Sequence, residues 1–166
     1  NDMLWLAKSD HGLLKPVLEQ VDLGKEISDL FEFFEALAEE QNIQLILEGE
    51  TQCIQGDHSM LRQAFSNLLS NALRHTGAGK SIHVKIEDKN EYTVIAFSNP
   101  GEHISKEYLE KLFDRFYRID PARQRNSEGV GLGLSIVKSI VESHKGYTEV
   151  ISEHGMISFM IYIPNL

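Results

Sequence analysis

Apolar residues recur at helical spacing in three parts of the chain. In residues 23–41 they come at steps of three and four, the stripe of an amphipathic helix: Leu23, Ile27, Leu30, Phe31, Phe34, Leu37 and Ala38. A second stripe fills residues 58–75 and a third fills residues 132–144. The sequence therefore predicts three long helices, and Asp57 suits the N-cap of the second.

Short runs between these helices are typical of strands. The predicted strands cover residues 43–47, 53–55, 81–87, 92–98, 147–152 and 156–163. Polar turns join the last two pairs as hairpins, which favours an antiparallel or mixed sheet over a doubly wound parallel one. A short helix is expected near residues 105–111. We therefore predict an α+β fold: a two-layer α/β sandwich with a mixed, mostly antiparallel sheet of about five strands, covered on one face by three helices.

Residues 113–129 form a long polar segment that contains Arg115, Arg118, Arg123 and Arg125. A loop of this length inside a compact domain is typical of a lid or a disordered insert. The chain has 166 residues and a net charge of −9, which argues against nucleic acid as a partner. Within residues 112–131, however, four arginines outnumber three acidic residues. Guanidinium groups suit phosphate recognition, so this segment is a candidate anion site.

A glycine-rich run enters the third helix: Gly129, Val130, Gly131, Leu132, Gly133 and Leu134. Glycines let the backbone approach phosphate oxygens, and a helix N-terminus offers free N–H donors. A dinucleotide fingerprint is excluded because a polar segment, not a strand, precedes the run. Residues 79–81 are not a P-loop, because a helix precedes them and a strand follows. By itself, the run fits a plain loop-to-helix turn equally well.

The second helix carries polar residues on one face. Gln63, Asn67 and Asn71 lie at i, i+4 and i+8, and Arg74 and His75 follow one turn later. Asparagine is a poor helix former, so two at this spacing need a reason. Their side chains either bond to neighbouring backbone or provide an oxygen ligand for Mg²⁺ and a polar rim for phosphates.

Four segments resemble, in order, the N, G1, F and G2 boxes of the catalytic ATP-binding domain of sensor histidine kinases. They are residues 67–76 (NLLSNALRHT), 98–101 (SNPG), 112–118 (LFDRFYR) and 129–135 (GVGLGLS). Residues 155–159 resemble the final glycine box, so the resemblance covers about residues 23–164. The chain's opening and its Asn-Pro-Gly segment are similar to the heavy-metal (copper/silver) sensor branch. The resemblance implies the sandwich shared with gyrase and Hsp90, with ATP between the second helix and a long ATP lid.

The resemblance also implies roles for individual residues. It assigns ATP binding to Asn67, Asn71, Arg74, His75, Asn99, Gly101, Ile104, Phe116, Gly129, Val130, Gly131, Leu132, Gly133 and Leu134. Asn71 would hold Mg²⁺, and Arg74 and His75 match positions that contact the phosphates and the ribose region. Arg115 and Arg118 would be catalytic, stabilising charge during transfer of the γ-phosphoryl group.

Two departures from the family pattern affect nucleotide binding. The G1 box usually reads Asp-x-Gly-x-Gly, whereas Asn99 replaces its Asp and His103 its second glycine. Asn99 accepts the adenine amino hydrogen without a charge, so we expect weaker binding with the adenine preference kept. In ATPase relatives a water-activating Glu stands in place of Asn67. An asparagine cannot be that base, which favours transfer to a protein over hydrolysis.

The resemblance divides the chain into residues 1–12, the tail of a dimerisation and phosphoacceptor helix, and residues 13–166, the catalytic ATP-binding domain. No phosphoacceptor box like His-Glu-Leu-Arg-Thr-Pro occurs, so we expect no autophosphorylation by this fragment alone. The implied partners are its own dimerisation domain, within a full-length homodimer, and a response regulator. We expect the fragment to be the cytoplasmic domain of an inner-membrane protein, with no direct membrane contact of its own.

Other interpretations stay open. The chain fits a non-kinase ATPase of the same superfamily, or a degenerate nucleotide-binding or interaction module. The single cysteine, Cys53, excludes an intramolecular disulfide. Cys53 and His58 fall well short of the four ligands of a structural zinc site. Without nucleotide, residues 120–128 are expected to be mobile.

Overall fold

The computed structural model describes residues 15–49, 52–114 and 133–165. The predicted helix tail at residues 1–12 and the predicted mobile segment at residues 120–128 lie outside them. The elements follow in the order β1 (Glu19–Asp22), α1 (Leu23–Glu40), β2 (Gln44–Gly49), β3 (Cys53–Gly56), α2 (His58–His75), β4 (Ser81–Lys89), β5 (Tyr92–Pro100), α3 (Lys106–Leu109), α4 (Gly133–Ser143), β6 (Tyr147–Glu153) and β7 (Met156–Pro164).

The first helix follows its apolar stripe. Asp22 is its N-cap and accepts a hydrogen bond from the backbone N–H of Lys25 at 3.1 Å. Leu23 and Ile27 are fully buried on its inner face. After the helix ends, the backbone N–H of Ile43 donates to Ala38 O at 2.8 Å, which turns the chain directly into β2.

Five strands form the main sheet in the order β2-β4-β5-β7-β6. Strands β2 and β4 are parallel, and the other neighbouring pairs are antiparallel. Alternate residues of the central strands point to one side and are buried there, including Ile82, Ile95 and Ile161. The predicted mixed, mostly antiparallel sheet is confirmed.

The long helices cover that buried side of the sheet. The Phe65 ring of α2 lies 6.0 Å from the Phe97 ring of β5, which places α2 over the middle of the sheet. In α4, Ile136 and Ile140 are buried in the same core. The predicted two-layer arrangement is therefore confirmed, and α2 and α4 run side by side in the helical layer.

A separate two-stranded ribbon differs from the expectation. The predicted strand at residues 53–55 is present as β3, but it pairs with β1 and not with the main sheet. The sequence did not predict β1, because Val21 is its only buried residue and offers no alternating pattern. Val21 pairs with Ile54, and both are buried.

In the described part of the chain, no helix has the length and apolar character needed to cross a bilayer.

Candidate active site

The polar stripe of α2 connects this helix to the start of α4. The side-chain amide of Gln63 donates to Asn67 Oδ1 at 2.9 Å, and Asn67 Nδ2 donates to the carbonyl oxygen of Gly133 at 3.2 Å. Both ends of the Asn67 amide are therefore bonded. The bond to Gly133 crosses from the middle of α2 to the first residue of α4.

Asn71 lies one turn further along the same face and differs from Asn67. Its side chain is half-buried and forms no hydrogen bond with a described residue. An amide oxygen is a hard ligand of the kind that Mg²⁺ prefers. The two asparagines therefore differ: Asn67 bonds to the backbone of a distant residue, Gly133, whereas no described residue bonds to Asn71. Its role as a Mg²⁺ ligand stays a prediction.

The N-terminus of α4 supplies donors beside this stripe. Helix α4 begins at Gly133, and the first backbone N–H groups of a helix have no partner within it. They also lie at the positive end of the helix dipole, which favours a bound anion. Leu134 packs against the core, and a Cβ on Gly133 would have no atom of a described residue within 4 Å. Hence the helix start is anchored on one side, and no described residue covers Gly133.

Arg74 and His75 occupy the last turn of α2, and both are exposed. The Thr76 hydroxyl donates to Ala72 O at 2.6 Å and closes the helix there. Desolvation by the surrounding protein, followed by the charge of Arg74, lowers the pKa of His75 below its ordinary value. At neutral pH, His75 is therefore a neutral hydrogen-bonding group, and Arg74 provides the positive charge at this end.

Asn99 lies near the end of β5, two residues after Phe97, and therefore on the helix-facing side of the strand. Only 2% of its surface is exposed. Its Nδ2 donates to the carbonyl oxygen of Pro100 at 2.9 Å, and no described residue donates to its Oδ1. Because this bond orients the amide, Oδ1 is the atom that can accept a hydrogen bond from a ligand.

Gly101 continues the same segment and packs closely against Ile157. A Cβ there would lie 2.7 Å from Ile157 Cδ1 and 3.8 Å from Asn99 Nδ2. The backbone N–H of Gly101 donates to Gly155 O at 3.0 Å, which fixes the segment against β7 and its turn. The absence of a side chain here keeps the space beside Asn99 open.

The loop after Gly101 is fastened to β6 by one serine. Ser152 Oγ accepts the backbone N–H of Ile104 at 2.9 Å, and it lies 3.4 Å from His103 Nδ1. Ile104 is half-buried against the core, whereas His103 is exposed. The sequence offered no signal for Ser152, because it lies 48 residues from Ile104 along the chain.

A second connection between α2 and α4 was also missed. The backbone N–H of Asp57 donates to His144 Nε2 at 2.9 Å, while His144 Nδ1 lies 2.8 Å from Ile140 O. His144 Nδ1 therefore carries the hydrogen and Nε2 accepts. Asp57 precedes α2 and His144 follows α4. This bond therefore joins the N-terminal end of α2 to the C-terminal end of α4, whereas the Asn67 contact joins the middle of α2 to the N-terminal end of α4.

The remaining predicted residues have mixed outcomes. Those outside the described residues are Arg115, Phe116, Arg118, Gly129, Val130, Gly131 and Leu132, and their roles stay predictions. His58 is held by the buried carboxylate of Glu26, and Cys53 is exposed. Among the described residues, no three His, Cys, Asp or Glu side chains group in a way that could hold a metal ion.

Comparison with known proteins identifies relatives of this arrangement. Residues 56–166 match the family described as histidine kinase-, DNA gyrase B-, and HSP90-like ATPase. The chain is 46% identical over 164 residues to the sensor histidine kinase CusS of Escherichia coli K12. It is 44% identical over 170 residues to the probable sensor kinase SilS of Salmonella typhimurium. These alignments cover 99% and 100% of this chain but 34% of each relative.

The fold has close structural counterparts as well. The catalytic domain of histidine kinase ThkA is 26% identical and superimposes with a TM-score of 0.80, over 90% of this chain and 96% of that one. This likeness supports the same α+β sandwich that the hydrophobic pattern predicted. The resemblance to sensor histidine kinases is confirmed, and the chain belongs to the histidine kinase-, DNA gyrase B- and HSP90-like ATPase family.

Proposed function

We propose that the chain is the ATP-binding kinase core of a two-component sensor histidine kinase. It binds Mg-ATP and donates the γ-phosphoryl group to a histidine on a dimerisation domain, for relay to an aspartate of a response regulator. Family membership and the similarity to CusS and SilS support the class of reaction. The observation that carries the proposal is the bond from Asn67 to Gly133, which fixes the polar stripe of α2 beside the N-terminus of α4.

The residues present fit a magnesium nucleotide. Asn71 offers an amide oxygen for the metal, and the start of α4 offers backbone N–H donors for phosphate oxygens. Mg²⁺ bound there would neutralise charge on the transferring phosphoryl group. At the other end, Asn99 Oδ1 accepts the adenine amino group, and Gly101 leaves room beside it.

The polar stripe of α2 favours transfer over hydrolysis. A general base must accept a proton from the attacking water, and an amide cannot do so. Gln63, Asn67 and Asn71 are all amides, and the Asn67 amide is bonded at both ends. The stripe therefore positions the nucleotide without activating water. Arg115 and Arg118 provide the charge stabilisation in the transfer step, where positioning and electrostatics supply most of the catalysis.

We also propose the partners of this domain and its location in the whole protein. The acceptor histidine belongs to the dimerisation domain of a full-length homodimer, and the response regulator receives the phosphoryl group from it. This chain lies on the cytoplasmic side of the inner membrane in the whole protein. The similarity to CusS and SilS supports the heavy-metal sensor branch.

The experiment supplies the chain with ATP labelled at its γ-phosphate, Mg²⁺ and a separate dimerisation domain that carries the acceptor histidine. We expect acid-labile label on that histidine, and none when EDTA replaces Mg²⁺. The control is a dimerisation domain whose acceptor histidine is changed to glutamine. Release of free phosphate without label on the protein would instead indicate a non-kinase ATPase. An absence of both would indicate a module that binds partners without turning over ATP.

A further inference from the structure

An open groove lies between α1 and the edge strand β2, away from the residues of the candidate active site. Its floor is apolar and is formed by Phe31, Ala38, Ile43 and Leu45. Its volume is about 350 Å³. Strand β2 is at one end of the main sheet, whereas Asn99 belongs to the central strand β5. The groove is therefore a surface that the proposed kinase function does not use.

The edge of β2 along this groove offers unpaired backbone groups. The N–H of Gln44 donates to Lys80 O at 3.1 Å, toward β4. In a parallel ladder successive residues bond to alternate sides, so the N–H and C=O groups of Leu45 and Leu47 point away from the sheet. Among the described residues, no strand pairs with that side. The strand also lacks proline and lysine, the residues with which proteins commonly protect an exposed edge.

The rim of the groove is acidic, and no described residue neutralises its charges. Glu32, Glu35 and Glu39 line it from α1, and all three are exposed. None forms an ion pair with a described residue. Glu39 and Glu40 lie in the last turn of α1, where the negative end of the helix dipole destabilises them, and no basic residue accompanies them. The helix dipole does not favour the glutamates of this last turn, and a cationic partner would relieve the repulsion among the acidic side chains of the rim.

We propose that this groove binds an extended, positively charged segment of a partner protein, which adds a strand to the free edge of β2. The backbone of the segment pairs with Leu45 and Leu47, its apolar side chains rest on the groove floor, and its lysines or arginines reach the glutamates of α1. The charge of the groove rim decides between two occupants of this edge, a second copy of this chain and a basic partner. A second copy of this chain would bring an identical acidic rim against the first, so a basic partner is the better fit.

The probe is a capped seven-residue peptide with the order lysine, threonine, valine, threonine, lysine, threonine, valine. As a strand, it places lysine and valine on one side and threonine on the other. It is titrated into isotope-labelled chain while backbone amide signals are followed by NMR. We expect saturable changes along β2, with the amides of Leu45 and Leu47 protected from hydrogen exchange. A matched peptide with glutamate in place of both lysines should not bind.

Two variants of the chain test the two parts of the proposal. The first is a triple variant, Glu32→Lys/Glu35→Lys/Glu39→Lys. It should weaken binding of the lysine peptide by about tenfold or more. The control, Glu91→Lys/Glu110→Lys/Glu142→Lys, reverses the same number of exposed charges elsewhere and should leave binding unchanged. Leu47→Pro removes one outward N–H without removing a bond to β4, so it should abolish binding while thermal unfolding stays cooperative.

Several results would overturn the proposal. They are an absence of peptide binding, equal binding of the glutamate peptide, and equal weakening by both triple variants. A dimer detected by sedimentation and dissolved by Leu47→Pro would show that a second copy occupies the edge instead. None of these outcomes depends on ATP, so the proposed kinase function stands or fails separately.

Discussion

Asn67 and Asn71 show how two identical residues one turn apart can serve different purposes. Spacing alone left two explanations open for both residues, either bonds to neighbouring backbone or a role in binding Mg²⁺ and phosphates. The structure separates them, because Asn67 is bonded to Gln63 and Gly133 while Asn71 has no bond to a described residue. Gly133 lies 66 residues from Asn67 in the sequence, so no local pattern could identify this bond.

The same substitution at both positions provides a test. Asn71→Ala should abolish Mg²⁺-dependent use of ATP with no loss of stability, because it removes an oxygen ligand and no described bond. Asn67→Ala should be less stable than Asn71→Ala by about 1 kcal/mol, since it also loses the bond to Gly133. Helix propensity changes equally in both and cancels. Urea unfolding measures the stability difference, and transfer of label from ATP to the separate dimerisation domain measures ATP use. Unchanged ATP use in Asn71→Ala would remove that residue from the site.

Asn99 leads to a prediction about nucleotide choice. Its Oδ1 can accept a hydrogen from the adenine amino group, whereas guanine carries a carbonyl oxygen at that position. We expect ATP to bind about tenfold more tightly than GTP, which corresponds to one neutral hydrogen bond. Titration of the chain with each nucleotide in Mg²⁺ measures the ratio. Equal affinities would show that Asn99 does not contact the base.

Element boundaries followed from the hydrophobic pattern to within a few residues, and capping was partly predictable. Asp57 was expected as the N-cap of α2, and its Oδ1 accepts the backbone N–H of Met60 at 3.1 Å. The end of α4 was not predictable in this way. Lys145 takes a positive φ of 67° there, and Gly146 is needed because a Cβ on it would lie 1.9 Å from Tyr162 O. Such a contact between distant segments leaves no mark in the local sequence.

Asp57 connects three segments of the chain: the residues before β1, the first turn of α2 and the residue that follows α4. Its Oδ2 accepts the backbone N–H of Val17 at 2.9 Å, in addition to the cap bond and the contact with His144. Asp57→Asn keeps a capping oxygen but cannot accept both N–H groups, so it should destabilise the fold by about 1 kcal/mol. Asp22→Asn is the matched control, since Asp22 caps α1 and is not bonded to Val17 or His144. Urea unfolding should show the smaller effect for the control.

The effect of Asp57 should also depend on pH. Burial desolvates its carboxyl and opposes ionisation, but hydrogen bonds from the N–H groups of Val17 and Met60 outweigh this and lower its pKa. A carboxyl with a lowered pKa stabilises the fold above its unfolded pKa, near 4, and loses that effect as the pH falls through the folded value. The stability difference between wild type and Asp57→Asn should therefore shrink below about pH 4. A constant difference down to pH 2 would contradict the assignment.

At the scale of the whole molecule, the sandwich could be predicted because its strands and helices each carry a clear apolar period. The ribbon of β1 and β3 could not, since β1 has one buried residue and is defined by its partner. The glycine run and the asparagines suggested phosphate binding from residue type. What joins them in space is the Asn67 contact with Gly133, together with the bond between Asp57 and His144.

In the proposed complex, Mg-ATP lies between the polar stripe of α2 and the N-terminus of α4. The most direct measurement is an NMR titration of the isotope-labelled chain with ATP, with and without Mg²⁺. We predict saturable changes at Asn71, Gly133 and Asn99, which grow with Mg²⁺ and reverse with EDTA, and which Asn71→Ala abolishes. An absence of saturable binding, or changes confined to residues away from α2, α4 and the end of β5, would contradict it.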